Sequence, residues 1–483
     1  MSLTFACAMS RARIISLLLL VAFACQPEPI SPPTDDPAEP VEQPEQPGQP
    51  ETPPENPQKP SPTEVTVGEP LPLWQEGYLD IHSINGGRGE SFYYIMPDGT
   101  TMLVDAAGAA DFETEGEADG SGIYSRPSNS YSSGNVIVQY IKHFAPDVAD
   151  GRIDYFMTSH YHGDHMGIYT KKFANYGWRV VDKNGTITQS VNLDAGGFLL
   201  NGVSEVGYYI PILRIIDRGD WADRPSNVFL TAPLRMQNYL NFIDWSAKAN
   251  GTVREKLAIG HNDQIVLKHD AKSYAGFSVR GIAAGGDIWT GSGNSVNTTY
   301  LPSSDQLMAN LEAWDPNENI MSCVFTMSYG KFDWFSGGDI QYNGRSTITW
   351  KDIDKPISKV VSKVEAMKAS HHCAKYANSS DLLNALKPDN LIIGIWTKNQ
   401  PNPDTMKRFF KASPKLGVFA TNLSDISVEN LKTEGIDAGS FLARNGHIVL
   451  RVVPGGSSYY IYVLDDSDFN YRVLSIHGPF GCD

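Results

Sequence analysis

The sequence predicts an α/β layered domain, and three observations carry that prediction. From about residue 71 onward, short β-rich runs alternate with stretches of helical periodicity, which is the pattern of packed sheet and helix layers. The β-rich runs open as a meander and close as a hairpin, so antiparallel pairing frames the domain. Counted with glycine and without tyrosine, apolar residues make up about 45% of the 483 positions, which is ordinary for a globular protein and excludes disorder of the whole chain.

The elements follow in order. Tyr78-Leu79-Asp80-Ile81-His82-Ser83-Ile84 alternates with period two, and Gly86-Gly87-Arg88-Gly89 turns the chain. Phe92 to Met96 runs back, Pro97-Asp98-Gly99 turns again, and Thr101 to Asp105 completes the meander. Val136 to Phe144 has helical spacing, and Ile153 to Ser159 is a short strand. Between about 170 and 310 the pattern is weaker, with a helix expected over Met236 to Lys248 and strands near Gln264 to Leu267 and Phe277 to Ile282. Strands are expected again at Cys323 to Met327 and Phe332 to Phe335. Ile357, Val360, Val361 and Val364 fall at helical spacing behind Pro356, which suits a first helical turn. Ile448 to Val453, the turn Pro454-Gly455-Gly456-Ser457 and Tyr459 to Leu464 form a terminal hairpin within about 447–465.

Ahead of this domain the composition changes twice. Arg11 and Arg13 precede an apolar run from Ile14 to Ala24, too short for a membrane-spanning helix and the right length for the core of an export signal. Residues 1–24 are therefore expected to be a signal peptide. The small residues before Cys25 resemble a bacterial lipoprotein cleavage box, which makes Cys25 the expected lipidation site and the protein an expected lipid-anchored component of the cell envelope, at the outer membrane or cell surface; plain export to the periplasm or medium with an incidental cysteine is the alternative. Residues 25–70 are crowded with proline and acidic side chains against a single lysine, Lys59, and read as a semi-extended tether of about 3.1 Å per residue. The remaining cysteines, Cys323, Cys373 and Cys482, are too few and too widely spaced for a disulfide framework, so the fold rests on its core or on a metal.

Charge narrows the partners. The chain carries 39 basic and 55 acidic residues, a formal net charge of −16, and such an anion repels phosphate backbones and acidic membranes. Much of that excess sits in the tether, but residues 71–483 stay net acidic, so no stable nucleic-acid partner is expected.

The chemistry is concentrated in Thr158-Ser159-His160-Tyr161-His162-Gly163-Asp164-His165, directly after an expected strand. Imidazole and carboxylate suit zinc and its neighbours, and Gly163 lets the chain turn at once so that several ligands face one point. His160-Tyr161-His162-Gly163-Asp164-His165 resembles the signature of the metallo-β-lactamase superfamily. Further matches lie at Asn85 to Ser91, at Leu103-Val104-Asp105-Ala106, from Asn319 to Asp339, and at Met367-Lys368-Ala369-Ser370-His371-His372. They are similar to the branch that contains the hydrolase domain of DNA-uptake competence proteins and a phosphorylcholine esterase.

The resemblance implies an αββα sandwich with a metal site at one edge of its two sheets, enlarged here by an insertion over about 170–310. It implies two divalent ions, zinc first among manganese and iron, with His160 and His162 on one, Asp164, His165 and His371 on the other, and Asp339 between them. Asp164 would also orient the water nucleophile, and His372 would protonate the leaving group. Cys373 stands where the family pattern has glycine and would bring a thiol near the metals. No third ligand for the first ion is evident, although His261 and His269 lie in the right interval. The expected reaction is metal-dependent hydrolysis of a phosphodiester or similar ester of the envelope; in the polar, turn-like stretch Ile216 to Trp221, Arg218 is a candidate phosphate clamp, with a solvated turn as the alternative. A nuclease acting on extracellular DNA, or a catalytically silent surface binding protein, are the alternatives.

Overall fold

The computed structural model describes residues 64–483 apart from 107–122, 129, 170–178 and 345–346. The expected signal peptide, Cys25 and the tether up to residue 63 lie outside the described residues. The end of the expected tether does not: Val65 is buried, and the backbone of Gly68 and Leu71 donates to Val473 and Tyr471 at 2.8 and 3.3 Å. The folded domain thus begins by residue 64, because this stretch supplies apolar side chains to the core and pairs with the last strand.

Two large sheets form the centre. One runs in the order Val473–Gly481, Ser458–Leu464, His447–Val452, Leu79–Ser83, Phe92–Ile95, Thr101–Val104, Ile153–Met157, Ile212–Asp217 and Val253–Lys256. Its last four strands are parallel, the rest antiparallel. The other runs Val296–Asn297, Asp287–Trp289, Phe277–Ala284, Val324–Tyr329, Phe332–Ser336, Ala366–Lys368, Asn390–Ile393 and Gly417–Ala420, with parallel pairing from Phe332–Ser336 onward.

Strand periodicity assigns the faces. Along Phe92–Ile95, Phe92 and Tyr94 point between the sheets, where they meet Phe325 and Trp334, while Tyr93 and Ile95 point outward. The outward face is covered by the helices Ser133–Phe144, Val203–Tyr209 and Pro233–Asn250, through Ile137, Ile141, Val206 and Phe242. Across the other sheet, Met367, Leu391 and Ile393 are covered by Leu382, Leu386, Met406, Phe409 and Leu431 from Ser380–Leu386, Pro403–Ala412 and Asp425–Thr433. Helix, sheet, sheet, helix is the αββα sandwich that the resemblance implies.

Several local expectations are corrected. The segment 170–310 is not a single appendage, since Ile212–Asp217, Val253–Lys256 and Phe277–Ala284 are strands of the two central sheets. Added material within it includes a small sheet of Val180–Val181, Ile187–Thr188 and Phe198–Leu199. Gln264 to Leu267 is not a strand; its backbone is met by side chains, as when Val266 N donates to Tyr155 Oη at 3.1 Å. The helix expected through Val364 is a single turn, Asp354–Ile357, because Val360, Val361 and Val364 are β-branched and the chain must extend into Ala366–Lys368. The closing hairpin is not terminal, for Val473–Gly481 adds a third strand, and its first strand pairs with Leu79–Ser83.

Candidate metal centre

The parallel strands of both sheets end at one edge, and every expected ligand lies just beyond such an end. His160 to His165 follow Ile153–Met157, Asp339 follows Phe332–Ser336, and His371 and His372 follow Ala366–Lys368. Position in the fold, more than position in the sequence, brings them together.

One carboxylate oxygen is the hub. Asp339 Oδ2 lies 3.2 Å from His165 Nε2, 3.4 Å from His372 Nε2 and 3.9 Å from both His160 Nε2 and His371 Nε2. His160 Nε2 and His162 Nδ1 face each other at 3.1 Å on one side. On the other side Asp164 Oδ2 is 3.2 Å from His372 Nε2 and 3.8 Å from His165 Nε2. Asp164, His165, Asp339 and His372 form a buried cluster whose ligand atoms all lie within 4.8 Å of one another.

This places His372, and not His371, in the position expected of the second-site ligand. The reason is local. His371, His372 and Cys373 all have positive φ, of 51°, 50° and 61°, so the chain coils tightly and swings consecutive rings to different sides. His372 turns inward and is fully buried, while His371 stays a quarter exposed beside Asn319 Nδ2, at 3.1 Å from Nε2. Cys373 holds the third left-handed residue where glycine would be free of strain. Its thiol lies 3.5 Å from Met406 Sδ in the core, away from the cluster.

Neighbouring groups fix each ring. Asp105 accepts from Ser159 N, Ser159 Oγ and His165 Nδ1 at 2.7, 2.6 and 2.8 Å. Ser159 Oγ, committed as a donor, can then accept from His160 Nδ1 at 3.1 Å. His372 Nδ1 donates to Gly394 O at 2.9 Å. The Nε2 atoms of His160, His165 and His372 are thereby left as ligand atoms, the usual role of outer carboxylates and carbonyls around a metal. Lys368 is wholly buried: its Nζ lies 2.7 Å from Glu90 Oε1 and donates to Gly338 O at 2.6 Å, next to Asp339.

Electrostatics agree with a cation site. Burial opposes the charged form of His165, yet Asp339, Asp105 and Asp164 outweigh it and hold its pKa well above the ordinary value. Burial likewise disfavours the Asp339 carboxylate, but His165, His372 and His371 hold its pKa well below the usual range. For His160 burial wins, and the ring is held neutral far below its ordinary pKa. His165 Nε2, His372 Nε2 and Asp339 Oδ1 are buried without a hydrogen-bond partner, an unfavourable state that coordination would relieve. Nitrogen and carboxylate donors of this kind fit divalent zinc or a neighbouring metal.

Three expected residues fall elsewhere. His261 pairs with Asp263 at 3.1 Å, and His269 is exposed with its backbone N bound to Asp98, so neither joins the cluster. Arg218 is buried, not presented to solvent. Its guanidinium is committed to Glu318 at 2.7 and 2.9 Å and stacks on Tyr161, which removes it as a substrate clamp. Glu318 also accepts from Tyr161 N at 3.1 Å, so this pair braces the ligand loop. Conversely, Asp105, Glu90, Lys368 and Asn319 belong to the site, although their motifs alone gave them no role. Lysine at the end of the apolar strand Ala366–Lys368 was the available signal, since a buried charge needs a partner.

No family model matches this chain, and no curated protein matches it. Among solved structures, it is similar to a mutant of the β-hydroxylase CmlA, with 12% identity over 77% of this chain and a TM-score of 0.32. The chain spans about half of that protein, 54% of its length. It is also similar to the metallo-β-lactamase fold protein YhfI from Bacillus subtilis, with 10% identity over 72% of this chain and 98% of the other, at a TM-score of 0.31. Zinc-bound PqqB from Methylobacterium extorquens matches with 10% identity over 72% and 98% of the two chains, at a TM-score of 0.29.

Proposed function

We propose that the protein is a metal-dependent hydrolase of the metallo-β-lactamase superfamily, with a two-metal centre that acts on a phosphodiester or similar ester of the cell envelope. The observation that carries this reading is the convergence of four imidazole nitrogens on Asp339 Oδ2, with Asp164 beside them.

In this reading His160 and His162 would hold one ion, Asp164, His165 and His372 would hold the other, and Asp339 would be shared between them. The chemistry the bound ions supply is Lewis acidity, which polarises an ester oxygen and acidifies water toward neutrality. Asp164 orients the attacking group. His371, at the open side and next to Asn319, replaces His372 as the residue that meets the leaving group. Asp105 and Gly394 O keep the ligand rings in register, and Lys368 with Glu90 fixes the loop that carries Asp339. Cys25 would anchor the protein through its lipid in the envelope, where such esters occur.

Metal analysis and turnover of bis-p-nitrophenyl phosphate, p-nitrophenyl phosphorylcholine, a lactone, nitrocefin and single-stranded DNA test the reading. Hydrolysis of a phosphodiester that is abolished by chelation and by His162→Ala is expected. Turnover that survives both would sink the mechanism, and hydrolysis of DNA alone would favour the nuclease. Labelled palmitate in the wild type but not in Cys25→Ser is the expected outcome for the anchor.

A further inference from the structure

Five arginines lie between residues 214 and 254, and four of them are paired. Arg214 meets Glu255, Arg218 meets Glu318, Arg224 meets Asp287 and Arg254 meets Asp217. Arg235, in the first turn of Pro233–Asn250, has no carboxylate within 4.0 Å among the described residues.

Its surroundings are those of the ligand loop. Arg235 Nη1 donates to Tyr161 O at 3.1 Å, and its Cζ and Nη2 come within 3.5 Å of where a side chain on Gly163 would begin. Tyr161 and Gly163 flank His162. The side chain is half-buried, and its Nε is a buried donor with no acceptor. Asp164 and Glu318 are the carboxylates whose fields reach it. Glu318 is already neutralised by Arg218, and Asp164 belongs to the metal cluster. Among the described residues, the Arg235 guanidinium thus has no paired carboxylate and keeps an unfilled donor, Nε, beside the ligand loop.

We propose that Arg235 is the anion-binding residue of this site, taking an oxygen of a phosphoryl group presented to the histidine–aspartate cluster. The inference rests on the hydrolase reading only for the location of the substrate. It assigns the substrate class: a group with a charged, tetrahedral oxyanion, for which a planar fork of donors is better suited than an ammonium. Gly163 leaves room beside the guanidinium, because a Cβ there would clash with Ile168 at 2.6 Å and lie in contact with Arg235 at 3.5 Å. Arg235 thus takes the role the sequence suggested for Arg218.

The alternative is that Arg235 merely braces the Tyr161 carbonyl, and the test separates the two. Inorganic phosphate binding to the zinc-loaded full chain is measured by calorimetry for wild type, Arg235→Gln and Arg235→Lys, with zinc content measured in parallel. Loss of a charge-assisted contact predicts phosphate affinity weaker by about ten- to hundredfold in Arg235→Gln, with partial recovery in Arg235→Lys and unchanged zinc. Phosphate affinity within about threefold of wild type, zinc lost together with phosphate, or no phosphate binding by the wild type would each overturn the proposal. If phosphate behaves as expected while no phosphodiester is turned over, the hydrolase reading falls and the anion site stands.

Discussion

Asp105 Oδ2 accepts a hydrogen bond from His165 Nδ1 at 2.8 Å, and it does so from a left-handed backbone position, φ 60°. That contact fixes which nitrogen of His165 carries the proton and aims Nε2 at Asp339. Asp105→Asn should keep the fold and weaken zinc affinity by roughly 10- to 100-fold, as outer-shell losses do. Chelator competition measures it; unchanged affinity would remove Asp105 from the centre.

Exchange of the two adjacent histidines gives a clean comparison. His372→Ala should lose the ion of the second site, whereas His371→Ala should retain wild-type zinc content and lose turnover. Elemental analysis of both purified variants decides it. The reverse pattern would restore His371 as the ligand.

Proton competition sets a pH dependence. Burial disfavours imidazolium at His165 and His372, but Asp339 and the other facing carboxylates raise both pKa values above the ordinary one. In the metal-free protein these charges stabilise the fold below about pH 6.5, and that contribution is lost as pH rises through the raised values. Zinc must displace both protons, so its affinity should climb steeply with pH, with roughly two protons released on binding near neutrality. Calorimetry in buffers of different ionisation enthalpy counts them; a release near zero contradicts the assignment.

Glu205 tests electrostatics away from the centre. Burial raises its pKa to about 7, against a hydrogen bond from Ser132 Oγ at 2.7 Å. An acid with a raised folded pKa costs nothing at low pH; its penalty grows above about pH 4.5 and is complete above the folded value, reaching about 3 kcal/mol. Glu205→Gln should therefore raise the denaturant midpoint at pH 8 and leave it unchanged at pH 4. Equal effects at both pH values would point to packing instead.

Because the thiol of Cys373 faces Met406 and the residue's φ is 61°, Cys373→Gly should leave zinc content intact. Relief of the left-handed strain, about 1 kcal/mol, is set against lost side-chain packing, so stability should change little. Loss of zinc in this variant would show that the thiol is a ligand after all.

Legibility differed by physical cause. The meander, the Ser133–Phe144 helix and the Ile153–Met157 strand were readable because their periodicity is local and matches the faces they bury. The spacing after Pro356 misled for the opposite reason: Ile357, Val360, Val361 and Val364 mimic a helical stripe, yet β-branching and the demand of the next strand extend the chain. Gln264 to Leu267 failed because side chains such as Tyr155, 111 positions away, replaced a strand ladder.

The donor types of the centre, their crowding after one strand and the turn at Gly163 were written in the sequence by itself, since ligand chemistry and short-range geometry belong to the residues. Which of His371 and His372 turns inward was decided by three successive left-handed residues, a conformation that no side-chain pattern reports. Tertiary structure alone paired Arg218 with Glu318 across 100 positions and, among the described residues, left Arg235 with no carboxylate within 4.0 Å. Charges find their partners through space, and only the packed sheets determine which partners are near.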